Sequence, residues 1–258
     1  MGHWAMRNAG NTDIHTPNLD RLARRGVKFD NFFCASPVCS PARASILTGT
    51  MPSCHGILDW LDGGSMDRAS LSRESLEYMP HETIPIQYTD HLTAYTDILA
   101  AGGYRCALSG KWHMGDSMTP QHGFSHWYTI GGGGVRYFNP ETIENGVLSE
   151  KKGYITDLIG EDALRCLDRF SKEEAPFYLS VHFTAPHSPW EETDHKKEYL
   201  DLKEESREVR IEGLKSETRG KLADFCLRVQ YRYLMLPGRG RSNRSERTPK
   251  DILTALWN

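Results

Sequence analysis

The stretch SPVCSPARASILTG, residues 36–49, decides the fold of this chain. Cys39 precedes Arg43 by four residues with Pro41 midway, and a run typical of a helix follows and ends at Gly49. Cys39 would therefore lie at a helix N-terminus, where free N–H groups and the helix dipole favour anions. Arg43, one turn further on, is expected on the same side. The pattern predicts an oxyanion pocket with a nucleophile position at its mouth, although a lone cysteine is more often a structural thiol.

The composition is that of a globular protein. The 258 residues are 38% hydrophobic and 25% charged, with a formal net charge of -3, so no strongly basic face points to a nucleic acid partner. No run approaches eighteen apolar residues, and no membrane span is expected. The first residues lack the basic and apolar regions of a signal peptide. The compartment stays open, because an expected truncation at the N-terminus would hide such a segment. The six cysteines fit no zinc template.

Helical patterns alternate with short apolar runs along the chain. Residues 16–26 read as a helix with Pro at its first position and Gly at its end, and residues 27–33 alternate like a strand. Further strands are predicted at 104–108 and 177–183, separated by a helix in 154–170. This order favours an α/β fold with a largely parallel sheet, whose ligands gather at the carboxyl ends of the strands. The loops after Leu108 and Phe183 lie there, and both carry histidine.

The arrangement Cys39-x-Pro41-x-Arg43 resembles the core motif of sulfatases. TPNLDRLARRGVKFDNFF upstream and ASILTG downstream are similar to the segments that flank this motif in the family. GKWHMG, GYITDLIGEDAL and FTAPHSPW resemble later family blocks in family order, and together the blocks span roughly residues 10–200. The resemblance implies an alkaline-phosphatase/sulfatase-like fold, a largely parallel sheet flanked by helices.

The resemblance also implies the chemistry, hydrolysis of a sulfate monoester. In the family the motif cysteine is oxidised by a formylglycine-generating enzyme to formylglycine (3-oxoalanine). The hydrated aldehyde offers one hydroxyl to attack sulfur and a second to expel sulfate, which is nucleophilic catalysis in two steps. Cys39 is the corresponding residue here, and a small sulfate ester is the implied substrate.

Site residues follow from the same resemblance, position by position. Arg43 would stabilise the diol, Lys111 would bind sulfate oxygens, and His113 would take the proton of the second hydroxyl. His187 would bind substrate and protonate the leaving oxygen. His55 matches a frequent family position near the pocket and is a candidate substrate-binding residue. His182, within a predicted strand, is assigned to packing.

The family holds calcium, which the resemblance therefore implies as a cofactor, but its expected ligands are incomplete here. Cys39 as formylglycine would be one ligand, while no Asp-Asp pair precedes Thr16 and no Asp-Asn or Asp-His pair follows a strand after His187. We expect a truncated member that lacks the first strand and the C-terminal part of the fold. Residues 1–202 are interpreted as a partial catalytic domain and 203–258 as a divergent, basic, poorly ordered tail.

Two other functions fit the same residues. A pocket for one tetrahedral oxyanion tolerates another, so a phosphonate or phosphate ester hydrolase of the same superfamily is an alternative. A non-catalytic sulfatase remnant, which binds anions without turnover, is the second.

Overall fold

A computed structural model of the chain describes residues 6–11, 16–29 and 31–187. These residues fall into two compact units, one ending at Phe33 and the other running from Cys34 to His187. The predicted tail at 203–258 lies outside the described residues, so the predicted domain boundary stays a prediction.

The first unit contains a 3-10 turn, Arg7–Ala9, and helix α1, Pro17–Arg25. Helix α1 confirms the sequence prediction, with Pro17 in its first turn and Gly26 as its C-cap. The strand predicted at 27–33 was wrong, because the described residues there form no ladder. Alternating apolar residues form a strand only against a partner strand, and Phe29, Phe32 and Phe33 are exposed here.

The second unit is built on one five-stranded mixed sheet. Its strands are β1 Arg105–Lys111, β2 Phe124–Ile130, β3 Glu141–Glu144, β4 Val147–Glu150 and β5 Phe177–His182, in the order β4-β3-β2-β1-β5. Strand β1 is central and pairs in parallel with both β2 and β5, whereas β3 and β4 extend the sheet as antiparallel strands. The predicted parallel character therefore holds for the three strands that carry the site.

Helices cover both faces of this sheet. They are α2 Cys39–Thr48, α3 Pro52–His55, α4 Arg73–Tyr78, α5 Tyr95–Ala101 and α6 Ile155–Phe170, with a 3-10 turn at Arg68–Ser70. Successive side chains of β1 point to opposite faces. Cys106 and Leu108 join the core cluster that contains α2, whereas Ala107 packs with Cys166 of α6. The result is the layered α/β fold that the alternating sequence pattern predicted.

Strand β1 ends later than predicted, at Lys111 rather than at Leu108. Gly110 interrupts the apolar run, which made the strand look shorter in the sequence. Its φ is +112°, and a Cβ there would lie 2.0 Å from the carbonyl oxygen of His182 on β5. Only glycine fits this close approach, and the two strands consequently reach the same edge together.

None of the described helices is both long and apolar enough to cross a membrane.

Candidate active site

Cys39 is the first residue of helix α2 and is half-buried. The N-cap residue, Val38, makes no side-chain cap, so no side chain competes for the amides of the first turn. Such a turn attracts an anion through its N–H groups and the helix dipole. The predicted placement of Cys39 at a helix N-terminus is therefore confirmed.

Arg43 follows Cys39 by one turn and joins α2 to the carboxyl edge of the sheet. Its Nη1 donates a hydrogen bond to the Lys111 carbonyl oxygen at 2.8 Å and lies 3.2 Å from Nδ1 of His182. Burial lowers the pKa of Arg43 to about 10, while a negative charge at Cys39 acts in the opposite direction. Arg43 thus faces the Cys39 end of its helix and keeps its positive charge at neutral pH.

Lys111 ends strand β1 and is only 4% exposed. Burial lowers its pKa to about 8, a charge at Cys39 raises the pKa, and the nearby Arg43 lowers it further. An ammonium group withdrawn from water in this way has lost its hydration and gains strongly from a bound anion.

His113 lies two residues beyond β1 in a left-handed backbone conformation, with φ of 56°. Its Nε2 is 2.9 Å from the Leu61 carbonyl oxygen, which can only accept, so the ring proton is on Nε2. The other nitrogen, Nδ1, is buried and has no hydrogen-bond partner in the described protein. His113 therefore presents an unpartnered lone pair at a buried position.

The pKa of His113 falls to about 3, mainly through burial and next through the charge of Lys111. The imidazole is neutral at physiological pH and able to accept a proton, and a bound anion beside it would raise its pKa.

A Cβ on Gly133 would come within 2.4 Å of the His113 ring, so the glycine run after β2 packs directly against this side chain. Ser40 accepts a hydrogen bond from the amide of Leu61 at 3.1 Å, which ties the Leu61 loop to α2.

His187 follows the cis peptide bond between Ala185 and Pro186, in the loop after β5. Its amide donates to the Thr184 carbonyl at 2.9 Å, and its carbonyl accepts from the Tyr137 hydroxyl at 2.6 Å. Its charge contributes to lowering the pKa of His113, which places the two histidines in one electrostatic environment. The structure thus brings Cys39 and the other four predicted catalytic residues to one edge of the sheet.

His55 is placed differently from these residues. It is 1% exposed and lies in α3, where Nδ1 accepts from the Ile57 amide at 3.2 Å and Nε2 donates to Ser45 Oγ at 3.0 Å. Both ring nitrogens are engaged within the protein, and this arrangement leaves neither of them for a substrate. Its predicted substrate contact has no support in these contacts and stays a prediction.

His182 is the residue whose place the sequence prediction missed. Besides packing in β5, its Nδ1 contacts the Arg43 guanidinium and lies 3.0 Å from the Lys111 carbonyl oxygen. The available sign was a histidine next to the end of the predicted strand 177–183, close to the loop that the sequence places at the carboxyl edge of the sheet.

The implied calcium finds no oxygen cage among the described residues. Neither Arg43 nor Lys111 forms an ion pair with a carboxylate in the described part of the chain. Calcium requires several carboxylate or carbonyl oxygens. The residues that the structure describes therefore do not fit the ion.

A mixed group of metal-ligand types does occur elsewhere, where His126 of β2 faces Asp162 and Cys166 of α6. Their potential ligand atoms lie within 4.8 Å of one another. Imidazole and thiolate suit zinc rather than calcium. His126 pairs with Ala107, toward the start of β1, and so lies away from the edge that carries Lys111.

A helix N-terminus, a half-buried arginine, a buried lysine and a neutral histidine around a cysteine form a candidate oxyanion site of the hydrolase type on an α/β sheet. A model of the sulfatase family matches residues 1–232, and the chain belongs to that family.

One curated relative and two solved structures illustrate the similarity of this chain to known proteins. The chain is 31% identical over 188 residues to N-acetylglucosamine-6-O-sulfatase of Bacteroides thetaiotaomicron, an alignment covering 72% of this chain and 29% of the relative. The solved structure of Ps i-CgsB in complex with k-i-k-neocarrahexaose matches with a TM-score of 0.64 at 26% identity, over 86% of this chain and 48% of that one. BT4656, solved with its substrate D-glucosamine-2-N,6-O-disulfate, matches with a TM-score of 0.59 at 27% identity, over 86% and 40%.

These likenesses confirm the sulfatase-like fold. They also show that the chain spans between about a third and a half of the proteins it matches. Because the chain matches only part of each relative, its own enzymatic activity is proposed below and does not follow from the similarity alone.

Proposed function

We propose that this chain carries the sulfuryl-binding half of a sulfate ester hydrolase, with Cys39 as the residue converted to formylglycine. The observation that supports it best is the convergence of Cys39, Arg43 and Lys111 beside the unpartnered Nδ1 of His113. Two cations and a helix N-terminus close together favour an anionic tetrahedral group, such as the sulfuryl group of a sulfate ester or the sulfate ion that its hydrolysis releases. A buried lone pair beside them provides a base where a proton has to leave.

Formylglycine at position 39, made by a formylglycine-generating enzyme, would supply a hydrated aldehyde with one hydroxyl to attack sulfur and another to release sulfate. Half-buried Cys39, at the open N-terminus of α2, fits this group. Arg43 holds it from the next turn, and Lys111 neutralises the sulfate oxygens as charge builds up on them.

The two histidines divide the proton transfers. His113 accepts a proton at Nδ1 from the hydroxyl that expels sulfate, since its Nε2 already donates to Leu61. His187 donates a proton to the alcohol oxygen as the ester bond breaks. Imidazole suits this second task because its ordinary pKa lies near neutrality.

The test is turnover by the full chain, co-expressed with a formylglycine-generating enzyme. We expect hydrolysis of an aryl sulfate and of N-acetylglucosamine 6-sulfate, a substrate chosen from the name of the relative described above. Mass spectrometry of the peptide containing Cys39 should show the aldehyde. Cys39→Ser should abolish both signals, whereas Cys34→Ser, which removes an exposed thiol, should leave both unchanged.

One observation favours a second candidate, a remnant that binds sulfate without turnover. The described residues around Arg43 and Lys111 include no paired carboxylate for a cation. An unmodified Cys39 in a competent host, combined with sulfate binding and no hydrolysis, would identify this case. Preferential hydrolysis of an aryl phosphate would instead identify the phosphate ester hydrolase.

A further inference from the structure

His182 is the last residue of β5 and lies at the edge of the sheet where the predicted catalytic residues meet. It pairs with Gly110 across the parallel ladder, one residue before Lys111. Its side chain is half-buried and directed at two groups of the site, the Arg43 guanidinium and the Lys111 carbonyl. No role in the proposed reaction has so far been given to it.

The chemistry of arginine restricts how His182 can meet it. A guanidinium group offers donors only and stays charged. The separation of 3.2 Å between Arg43 Nη1 and His182 Nδ1 is therefore a hydrogen bond only when Nδ1 carries a lone pair. The same Nη1 donates to the Lys111 carbonyl oxygen at 2.8 Å, so the two acceptors share one charged donor group.

The position of His182 is set by the backbone. Gly110 has no side chain, and the His182 carbonyl oxygen approaches it closely. A Cβ at position 110 would lie only 2.0 Å from that oxygen. This close approach keeps the end of β5 against the end of β1. Consequently the His182 ring reaches Arg43, although the two residues are 139 positions apart in the sequence.

We propose that His182, neutral and with its ring proton on Nε2, is a positioning residue that holds the Arg43 guanidinium toward Cys39 by accepting its N–H at Nδ1. The neutral state agrees with burial and the charge of Arg43, which lower the pKa of His182 to about 4. The effect on catalysis rests on the proposed function, whereas the hydrogen bond itself does not.

The competing arrangement has the opposite tautomer. His182 Nδ1 would then donate to the Lys111 carbonyl oxygen, 3.0 Å away, and two donors would face each other at Arg43. The proposed tautomer has the matching cost, because it sets the Nδ1 lone pair 3.0 Å from that same carbonyl oxygen, and the shared Arg43 donor offsets this repulsion. In that case His182 would brace β1 and would not hold Arg43.

The first test is the tautomer of His182 in the full chain, read from long-range ¹H–¹⁵N correlation spectra. We expect an unprotonated Nδ1 and a protonated Nε2 at neutral pH. Arg43→Lys removes the planar fork and should shift the Nδ1 resonance, whereas Arg165→Lys on α6 should leave it unchanged. A protonated Nδ1 would overturn the proposal, whether or not the protein turns over any ester.

The second test compares His182→Asn with His182→Leu, two side chains of nearly the same shape. Asparagine can present its Oδ1 near the position of Nδ1 and accept from Arg43, whereas leucine cannot. We expect leucine to lower kcat/KM by up to about 100-fold, as a displaced catalytic group does. Asparagine should restore most of the loss.

Urea unfolding identifies a merely structural role, because equal activity losses that follow stability in both variants would contradict the proposal. A double-mutant cycle completes the test. If His182 acts through Arg43, His182→Leu should cost much less activity in an Arg43→Lys background than in the wild type. Additive losses would show that it acts by another route. Absence of activity in the wild type would count against the proposed function and leave the tautomer measurement decisive for His182.

Discussion

Two clusters of charge are buried against the same sheet, and they are balanced in opposite ways. At the start of the parallel strands, Nε2 of His126 lies 3.1 and 3.2 Å from the two carboxylate oxygens of Asp162. At the carboxyl edge, Arg43 and Lys111 lie together without a carboxylate among the described residues. The first cluster contains its own counter-charge, and the second does not.

The pKa shifts report this difference. The hydrogen bond that His126 donates to Asp162 raises the pKa of His126 to about 9. Burial acts to raise the pKa of Asp162, but the hydrogen bond and charge of His126 outweigh it and lower that pKa. The pKa of Lys111 falls to about 8 and that of His113 to about 3, in both cases mainly through burial. Charged forms are stabilised in one cluster and destabilised in the other.

The comparison shows two ways to compensate the free-energy cost of burying a charge: a counter-charge within the fold, or an anion that binds from solution. The pair of His126 and Asp162 links β2 to α6, and its charges are compensated without a bound ligand. An unpaired cation costs free energy until an anion arrives, so we expect the second cluster to bind one. Each prediction below tests one side of this contrast.

The largest effect is expected from breaking the balanced pair. Asp162→Asn removes the carboxylate that keeps His126 charged, and the loss of one partner of a buried pair costs about 3–5 kcal/mol. Chemical denaturation should show this loss in the free energy of unfolding. Asp168→Asn on the same helix removes only the exposed partner of Lys172 and should change stability by less than about 1 kcal/mol. A small effect at Asp162 would show that this pair contributes little.

The second effect concerns the unbalanced cluster and its anion. Inorganic sulfate at about 100 times its Kd should stabilise the wild type by about 2.7 kcal/mol against unfolding. Lys111→Met should lose this gain, while Lys172→Met, at an exposed position, should keep it. Sodium chloride at equal ionic strength corrects for general salt effects. Equal stabilisation of both variants would mean that sulfate does not bind at Lys111.

The third effect is a pair of opposite pH slopes. The folded pKa of His126, about 9, exceeds its ordinary 6.5, so its stabilisation is complete below pH 6.5 and is lost as the pH rises to 9. The folded pKa of Lys111, about 8, lies below its ordinary 10.5, so the unfolded chain binds more protons and stability rises from pH 8 to 10.5.

Each of the two groups changes the free energy of unfolding by at most about 1.4 kcal/mol per pH unit. Urea unfolding across this pH range should show that His126→Gln removes the fall and Lys111→Met removes the rise. Unchanged slopes in both variants would contradict the assigned shifts.

The smallest effect is expected at Arg165, the second partner of Asp162. Arg165 also contacts Asp162 at 3.1 Å, but its side chain is 61% exposed. Solvent screens such a pair, so Arg165→Gln should cost less than about 1 kcal/mol by chemical denaturation. A loss as large as that of Asp162→Asn would make Arg165, and not His126, the main partner.

Sequence reasoning reached some parts of the molecule and missed others for identifiable reasons. Helix α1 was predictable from Pro17 and Gly26, because start and stop preferences are local. Strands β2, β3 and β4 were missed, since all three depend on pairing with a neighbour, and β3 and β4 are also short. The strand predicted at 27–33 failed for the same reason, because no partner strand among the described residues pairs with it.

The sequence by itself determined the local position of the candidate nucleophile. The order Cys39-x-Pro41-x-Arg43 places a cysteine and an arginine on one turn of a helix, and that outcome depends only on local geometry. The tertiary structure alone decided that Arg43 meets Lys111 and His182, which lie 68 and 139 positions away. Burial, and therefore the charge state of every group in the site, arises when distant segments exclude water together, and no periodicity of the sequence records it.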